Sequence, residues 1–532
     1  MTKLATNPGV TRNEWLWAAG VGLLLMALTS LPYLYGLSLS TPARQFSGFI
    51  IGVEDGNSYL GKMRMGAAGS WRFNLAYTPE PHPGVYLYTF HLGLGKLSQA
   101  LTLPPAWGYH LARLAGGMFL LLAAYRFVAE FVAPVPVRRL ALWLVGLGSG
   151  LGWLVIATGW VERIGLPLDI YLPEAFAFII LFSLPHLLFA QGLLLWGILS
   201  LLRAWQRGSW GLALVSGLLF GLVLGIAAFY IAVIAAVLGA TLAWRGWLAR
   251  HIPWRAGLMA GLALLIASPV ALYNAWVFSS IEAFQILGRQ LVIRSPAPIH
   301  YLLAFGPLAL LAVPGGLALW RSDRARSILP LAWCLVTPLL VYLPFNLQRR
   351  LTMGVQVPLS ILAALGAYHL LKGGRRPRRW RLVAPLLVLF FSLTNLLLLA
   401  GSFGAVAGRA EPVFVPGDQA RAARWLAEQA AGAVILAAYE TGNYLPAYAD
   451  VRAFVGHGPE TIRSDEKRAL AARFFAGETD DAWRRALLAE YNVGYLYYGP
   501  HERALGDFEP DAAPYLRRVY QVGEVVLYAV GL

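Results

Sequence analysis

Three short stretches combine residue types that could do chemistry on a polar substrate. The first, Ile51-Gly52-Val53-Glu54-Asp55-Gly56-Asn57-Ser58-Tyr59, sets two carboxylates side by side. An Asp there could act as a general base, taking a proton from an acceptor hydroxyl, although Asp-Gly-Asn is also ordinary turn chemistry. The second is Tyr77-Thr78-Pro79-Glu80-Pro81-His82-Pro83-Gly84. Its prolines impose an extended path and leave Glu80 and His82 as its polar side chains. The third is Pro344-Phe345-Asn346-Leu347-Gln348-Arg349-Arg350. Paired guanidiniums suit phosphate oxygens through their forked donors; contact with lipid headgroups is the plainer role for them. Arg289 and Arg294 are weaker candidates of the same kind, and Glu174 and His186 are polar groups beside a long apolar run. No zinc-ligand cluster, Ser/His/Asp arrangement or glycine-rich phosphate loop stands out. A divalent cation at Glu54 and Asp55 is conceivable from two carboxylates.

The elements that must position these groups are read from composition. Of 532 residues, 58% are hydrophobic and only 13% charged, about half the usual charged share. Lipid must therefore be the solvent for much of the chain. The net charge of +16 would suggest nucleic acid in a soluble protein. Here the charge is divided. Residues 405–532 carry 13 Lys and Arg against 17 Asp and Glu, so the first 404 residues carry +20. That division is a topology signal and excludes a nucleic-acid partner. The lone cysteine, Cys334, allows no disulfide within the chain.

Apolar stretches near 15–36, 106–127, 139–159, 175–202, 210–226, 228–244, 257–278, 299–320, 329–346, 355–372 and 382–404 are candidate spans. Most approach the ~20 residues needed to cross a bilayer. The run 175–202 is too long for one upright helix, and Pro185 is where it would split. The boundary inside 210–244 is placed near Phe229 and Tyr230. The first run follows Lys3 and Arg12 without a small-residue cleavage site, so it reads as a first span and not as a cleaved signal peptide.

Every second loop is basic. Arg126, Arg138 and Arg139 come first, then Arg203 and Arg207, then Arg245, Arg250 and Arg255, then Arg321, Arg324 and Arg326. Lys372, Arg375, Arg376, Arg378, Arg379 and Arg381 form the last group. The positive-inside rule then puts the N-terminus in the cytoplasm of a multi-pass inner (plasma) membrane protein. Residues 37–105, 160–174, 279–298, 346–354 and the tail from about 405 fall outside. The first outer loop, about 70 residues, is longer than ordinary connections. Its segments Ser58–Ala68 and Tyr86–Ala100 are amphipathic enough to lie flat in the interface.

Two domains are expected: a polytopic helical domain over 1–404 and an extracytoplasmic α/β domain over 405–532. In the tail, Val434–Ala438 and Val493–Tyr498 read as buried strands. Ala420–Ala431, Asp465–Phe475 and Asp480–Glu490 have helical spacing, and Val519–Val530 reads as a hairpin turning near Gly523. The glycine-rich stretch Gly146–Gly152 is apolar and suits close helix packing.

These features together resemble the GT-C superfamily of membrane glycosyltransferases, relatives of the protein O-mannosyltransferases and the lipid A aminoarabinose transferase, in a bacterial branch of that group. Glu54-Asp55-Gly56-Asn57-Ser58-Tyr59 looks like the family's first-loop pattern, an Asp followed a few residues later by Tyr. Pro79-Glu80-Pro81-His82-Pro83 resembles a proline-rich stretch later in that loop. Pro344–Arg350 resembles a late outer loop whose arginine contacts the donor phosphate. In the tail, Gly442-Asn443-Tyr444-Leu445-Pro446-Ala447, Val455-Gly456-His457-Gly458-Pro459-Glu460-Thr461 and Gly499-Pro500-His501-Glu502-Arg503 resemble the outer domain of bacterial members.

The resemblance implies about eleven transmembrane helices and a cell-envelope enzyme using a polyprenyl-phosphate-linked sugar. The acceptor would be a hydroxyl on a glycan, lipid or protein, and transfer would invert the anomeric centre. It maps the catalytic base onto Asp55 with Glu54 as partner, and the phosphate contact onto Arg349 or Arg350. Tyr59, Glu80, His82, Glu174 and Gln348 would line the substrate. The rival expectations are a lipid or glycan transporter or flippase, and a non-catalytic scaffold. Transport would favour ionisable groups at mid-membrane between matching repeats, and the sequence shows neither matching halves nor many such groups.

Overall fold

The computed structural model describes residues 9–371 and 377–531. Lys3 and the basic residues Lys372, Arg375 and Arg376 lie outside the described residues, as does the side chain of Arg378. The chain divides into two compact units. One takes in the residues up to Leu31, His110–Tyr273 and Ile293–Gly401; the other takes in Pro32–Tyr109, Asn274–Val292 and Ser402–Leu532. The second unit thus groups the tail with the long first loop, beyond the tail-only domain read from the sequence.

Among the described residues, seven helices are long and apolar enough to cross a membrane: Arg12–Ser38, Pro105–Phe131, Pro185–Arg207, Tyr230–Ala249, Trp254–Ser280, Pro298–Ser322 and Arg379–Ala407. At about 1.5 Å per residue each reaches or exceeds the ~30 Å hydrocarbon core. Trp210–Ile226 and Gln356–Leu370 are shorter apolar helices. The chain is an integral membrane protein, mainly helical, with an α/β region at its end. Pro185 opens a helix at its first turn, where a missing N–H costs nothing, and so splits 175–202 into Ala177–Ser183 and Pro185–Arg207. The next apolar run breaks between Ile226 and Tyr230, with Phe229 in the N-cap position.

The expected span 139–159 is not one helix. It stops at Leu147 and restarts as Gly152–Ala157. The glycines explain the break. Backbone of another helix lies so close to Gly150 that a Cβ would stand 2.3 Å from the Leu303 carbonyl oxygen. The main-chain groups left unpaired by the break are taken up by buried side chains. Asp169 Oδ2 accepts from the Gly150 and Gly152 N–H groups at 2.9 and 3.1 Å and from the Thr394 hydroxyl at 2.9 Å. Gln356 Nε2 donates to the carbonyls of Leu144 and Gly148.

Arg138, counted above as a loop charge, is buried. It donates to Glu14 Oε1 at 2.8 Å, and the Tyr125 hydroxyl donates to the same oxygen at 2.9 Å. Burial in a helix–helix contact, which loop charge counting does not register, removes it from the surface.

The second unit holds a five-stranded sheet ordered Arg452–Ala453, Val434–Leu436, Val493–Tyr498, Val525–Val530, Leu516–Val522. The first three strands run parallel; the last two form an antiparallel hairpin with Gly523 at φ +54° in its turn. Helices Gly417–Gln429, Ser464–Phe475 and Asp481–Glu490 match the expected helical spacing, Asp480 capping the last by accepting from the Trp483 N–H. The helix Tyr439–Tyr448, which carries Pro446, and the two-residue strand Arg452–Ala453 were not legible in the sequence.

Candidate functional site

The first-loop acids sit on a regular helix, Val53–Ala67. Gly52 turns the chain into it at φ +62°, a conformation glycine adopts without a Cβ penalty. Glu54 and Asp55 fall in the first turn, where negative charge complements the helix dipole. Most of the rest of this helix is buried. Gly66 and Gly95 let it cross helix Thr89–Ala100 closely: a Cβ on either would stand about 2 Å from backbone of the other helix. On another side it meets helix Tyr439–Tyr448, with Gly61 against the Pro446 carbonyl. Ser58–Ala68 therefore packs against protein on two sides, and its polar residues serve that packing.

The three tail motifs quoted above all follow the carboxyl ends of the parallel strands. Helix Tyr439–Tyr448 follows Val434–Leu436, the turn Gly456–Thr461 follows Arg452–Ala453, and helix Pro500–Arg503 follows Val493–Tyr498. In open α/β sheets this edge, at the point where strand order reverses, is where ligands bind. Here Glu502 fills the crevice between the two central parallel strands. It is fully buried and accepts from the Ala438 and Gly499 N–H groups at 2.8 and 2.9 Å.

The rest of the edge receives the first-loop helix. The Tyr439 hydroxyl donates to Glu54 Oε2 at 3.0 Å and accepts from the Gly458 N–H at 2.9 Å. Asn57 Nδ2 donates to Asn443 Oδ1 at 2.8 Å. Arg64 pairs with Asp450 at 2.8 Å. His457 Nε2 lies 3.1 Å from Asp55 Oδ1, the histidine side chain 5% exposed and the aspartate 56%. Behind it, Glu460 Oε1 is 3.5 Å from His457 Nδ1 and accepts from Lys62 Nζ and the Ser58 hydroxyl, each at 2.6 Å. The Lys62 ammonium stands 4.3 Å from the Tyr88 ring centre, with Phe73 and Tyr59 rings further off.

This row of charges sets its own protonation. Burial pulls His457 down, but the hydrogen bond to Asp55 and the nearby carboxylates of Asp55 and Glu460 outweigh it and raise it to about 9. Burial pushes Glu460 up, yet the Lys62 ammonium and His457 hold it well below the usual carboxylate range. At neutral pH His457 is therefore an imidazolium and Glu460 a carboxylate.

The other expected site residues are placed as follows. Tyr59 stacks on His91 at 4.6 Å. Glu80 is tied to Lys467 at 2.6 Å and to the Thr78 hydroxyl. His82 Nε2 accepts from the Leu75 N–H and Nδ1 meets the Glu80 carbonyl, each at 2.8 Å, so the ring bridges its own loop. Burial lowers its basicity. In the other unit, Arg350 Nε lies 3.3 Å from Glu174 Oε1, and the Arg349 guanidinium is 5.1 Å from the Tyr171 ring centre. Gln348 accepts from the Ser295 N–H and donates to the Leu343 carbonyl, pinning the turn that carries both arginines.

His457, Glu460, Lys62 and Tyr439 were not named as site residues from sequence. Gly456-His457-Gly458-Pro459-Glu460 carried the signal, a His and a Glu three apart between glycines, and its partner lay some 400 residues away. Among the described residues no three His, Cys, Asp or Glu side chains converge as a metal site would need. Glu54 is engaged by Tyr439, and His457 faces Asp55.

The fold is similar to that of solved membrane glycosyltransferases. The structure is similar to arabinofuranosyltransferase AftD from Mycobacteria, with a TM-score of 0.54 and 18% identity over 99% of this chain and 42% of that one. It is also similar to the apo oligosaccharyltransferase of Archaeoglobus fulgidus, with a TM-score of 0.51 and 13% identity over 94% of this chain and 73% of that one. ArnT from Cupriavidus metallidurans bound to undecaprenyl phosphate aligns at a TM-score of 0.44 and 15% identity, over 96% of this chain and 98% of that one. No family model and no curated protein sequence matches the chain. At these identities the likeness is one of fold.

Proposed function

We propose that this protein is a membrane glycosyltransferase that moves a sugar from a polyprenyl-phosphate carrier to an acceptor hydroxyl on the extracytoplasmic face. The observation that carries the reading is Asp55: a half-exposed carboxylate on the first turn of a rigid, largely buried helix, fixed from behind by His457. A base must be both accessible and held, and Asp55 is both. Asp55 would accept the proton of the acceptor hydroxyl as that oxygen attacks the anomeric carbon and the lipid phosphate leaves with the bonding pair. Displacement in one step inverts the centre.

A polyprenyl phosphate is already a competent leaving group, so the base need chiefly be ionised and aimed. Arg349 is the better candidate for a lipid phosphate, since the Arg350 guanidinium is already held by Glu174. The solved structures of similar fold include an oligosaccharyltransferase and an arabinofuranosyltransferase, which favours group transfer over transport. The test is transfer of label from a panel of polyprenyl-phosphate-linked hexoses and pentoses by the purified protein, read by mass change in a mixed acceptor pool. Lipid movement without transfer would favour the transporter reading instead.

A further inference from the structure

We infer that His457 is a positioning residue for Asp55, so that the C-terminal domain aims the first-loop carboxylate. The inference rests on the reading of Asp55 as the base.

The geometry is unequal in an instructive way. Asp55 is exposed and on the first turn of a helix, where a short acidic side chain can take several rotamers. His457 is buried, and its backbone is held on both sides. Its N–H donates to the Thr461 hydroxyl oxygen at 3.3 Å, and its carbonyl accepts from the Glu460 and Thr461 N–H groups at 2.9 and 2.8 Å. The Tyr77 ring packs 5.5 Å from the imidazole. A buried donor thus meets a half-exposed acceptor at 3.1 Å and holds one oxygen of the carboxylate.

The groups around His457 are Asp55 and Lys62 from the first-loop helix, Glu460 on its own turn, Tyr77 from the loop and Tyr439, whose hydroxyl binds the Gly458 N–H. Lys62 neutralises Glu460, which keeps Glu460 in place as the second partner of the imidazole. The arrangement inverts the serine-hydrolase logic, in which a buried carboxylate orients a working histidine; here a buried histidine orients a working carboxylate.

The test uses the full-length protein in nanodiscs. Histidine-selective NMR of wild type and Asp55→Asn reads the His457 titration without any substrate; the midpoint should fall by about one unit or more when Asp55 loses its charge. An unchanged midpoint would overturn the inference. With a polyprenyl-phosphate-linked sugar as donor, His457→Ala should lower kcat about 10- to 100-fold at nearly constant donor KM, the pattern of a lost transition-state interaction. His457→Gln, whose amide can still donate to Asp55, should recover part of that loss at an unchanged melting temperature. Wild-type kcat in His457→Ala, with Asp55→Asn slow, would sink the positioning role and leave the base standing. Normal transfer by Asp55→Asn would sink the base and, with it, this role.

Discussion

Lys62 and Glu460 stand 398 positions apart in the sequence and form a 2.6 Å ion pair with side chains only 1% and 7% exposed. The pair joins the helix of the long first loop to the tail. Two ions buried together gain little over an apolar pair, but removing one partner strands the other. Lys62→Met should therefore cost about 3–5 kcal/mol, read as a fall in melting temperature, and adding Glu460→Leu should restore most of it. Equal melting of Lys62→Met and wild type would mean the pair does not form.

The same pair predicts an acid limit. Glu460 is held below its unfolded value, so its contribution is fully present above about pH 4.3 and is lost as pH falls toward the depressed folded value. His457 predicts an alkaline limit of opposite sign. Its folded value is raised to about 9, so its contribution is fully present below about pH 6.5 and is lost as pH rises through 9. Melting temperature recorded across this range should decline on both sides, and Asp55→Asn should flatten the alkaline side.

Glu80 and His82 should behave as loop architecture. Glu80→Gln breaks a pair with a lysine whose side chain is 2% exposed. The variant should melt lower, with donor KM and kcat at permissive temperature within about twofold of wild type, since neither group is needed in the transition state. A large kcat loss with unchanged melting would return Glu80 to the substrate.

The two arginines should separate. Arg349→Ala is expected to raise donor KM about 10-fold or more, as a lost charged hydrogen bond would, at an unchanged melting temperature. Arg350→Ala also leaves Glu174 without its partner at 3.3 Å, so it should lower stability as well. Equal donor binding in both variants and wild type would remove the phosphate role from this turn.

Much of this was legible in the sequence because membrane helices are written in long apolar runs. Pro185 could be placed from residue chemistry alone, whereas nothing in the apolar run 210–244 marked its boundary. The break at Gly148–Gly150 was not legible, since its cause is a second helix and a buried Asp169 brought from elsewhere. Arg138 misled for the same reason: its partner Glu14 lies on another helix. At the site, Asp55 was visible as an acid beside a glycine, but its setting was not. His457, Glu460 and Tyr439 reach it only through the fold of the tail, and contacts over such separations leave no local periodicity to read.

The central claim is that Asp55 takes the acceptor proton during sugar transfer. The direct measurement is single-turnover transfer from a labelled polyprenyl-phosphate-linked sugar by purified wild type and by Asp55→Asn, an isosteric change that keeps the helix and its docking. Wild type should transfer, and the variant should be slower by about 10²-fold or more, with donor binding retained. Transfer by Asp55→Asn at the wild-type rate would contradict it.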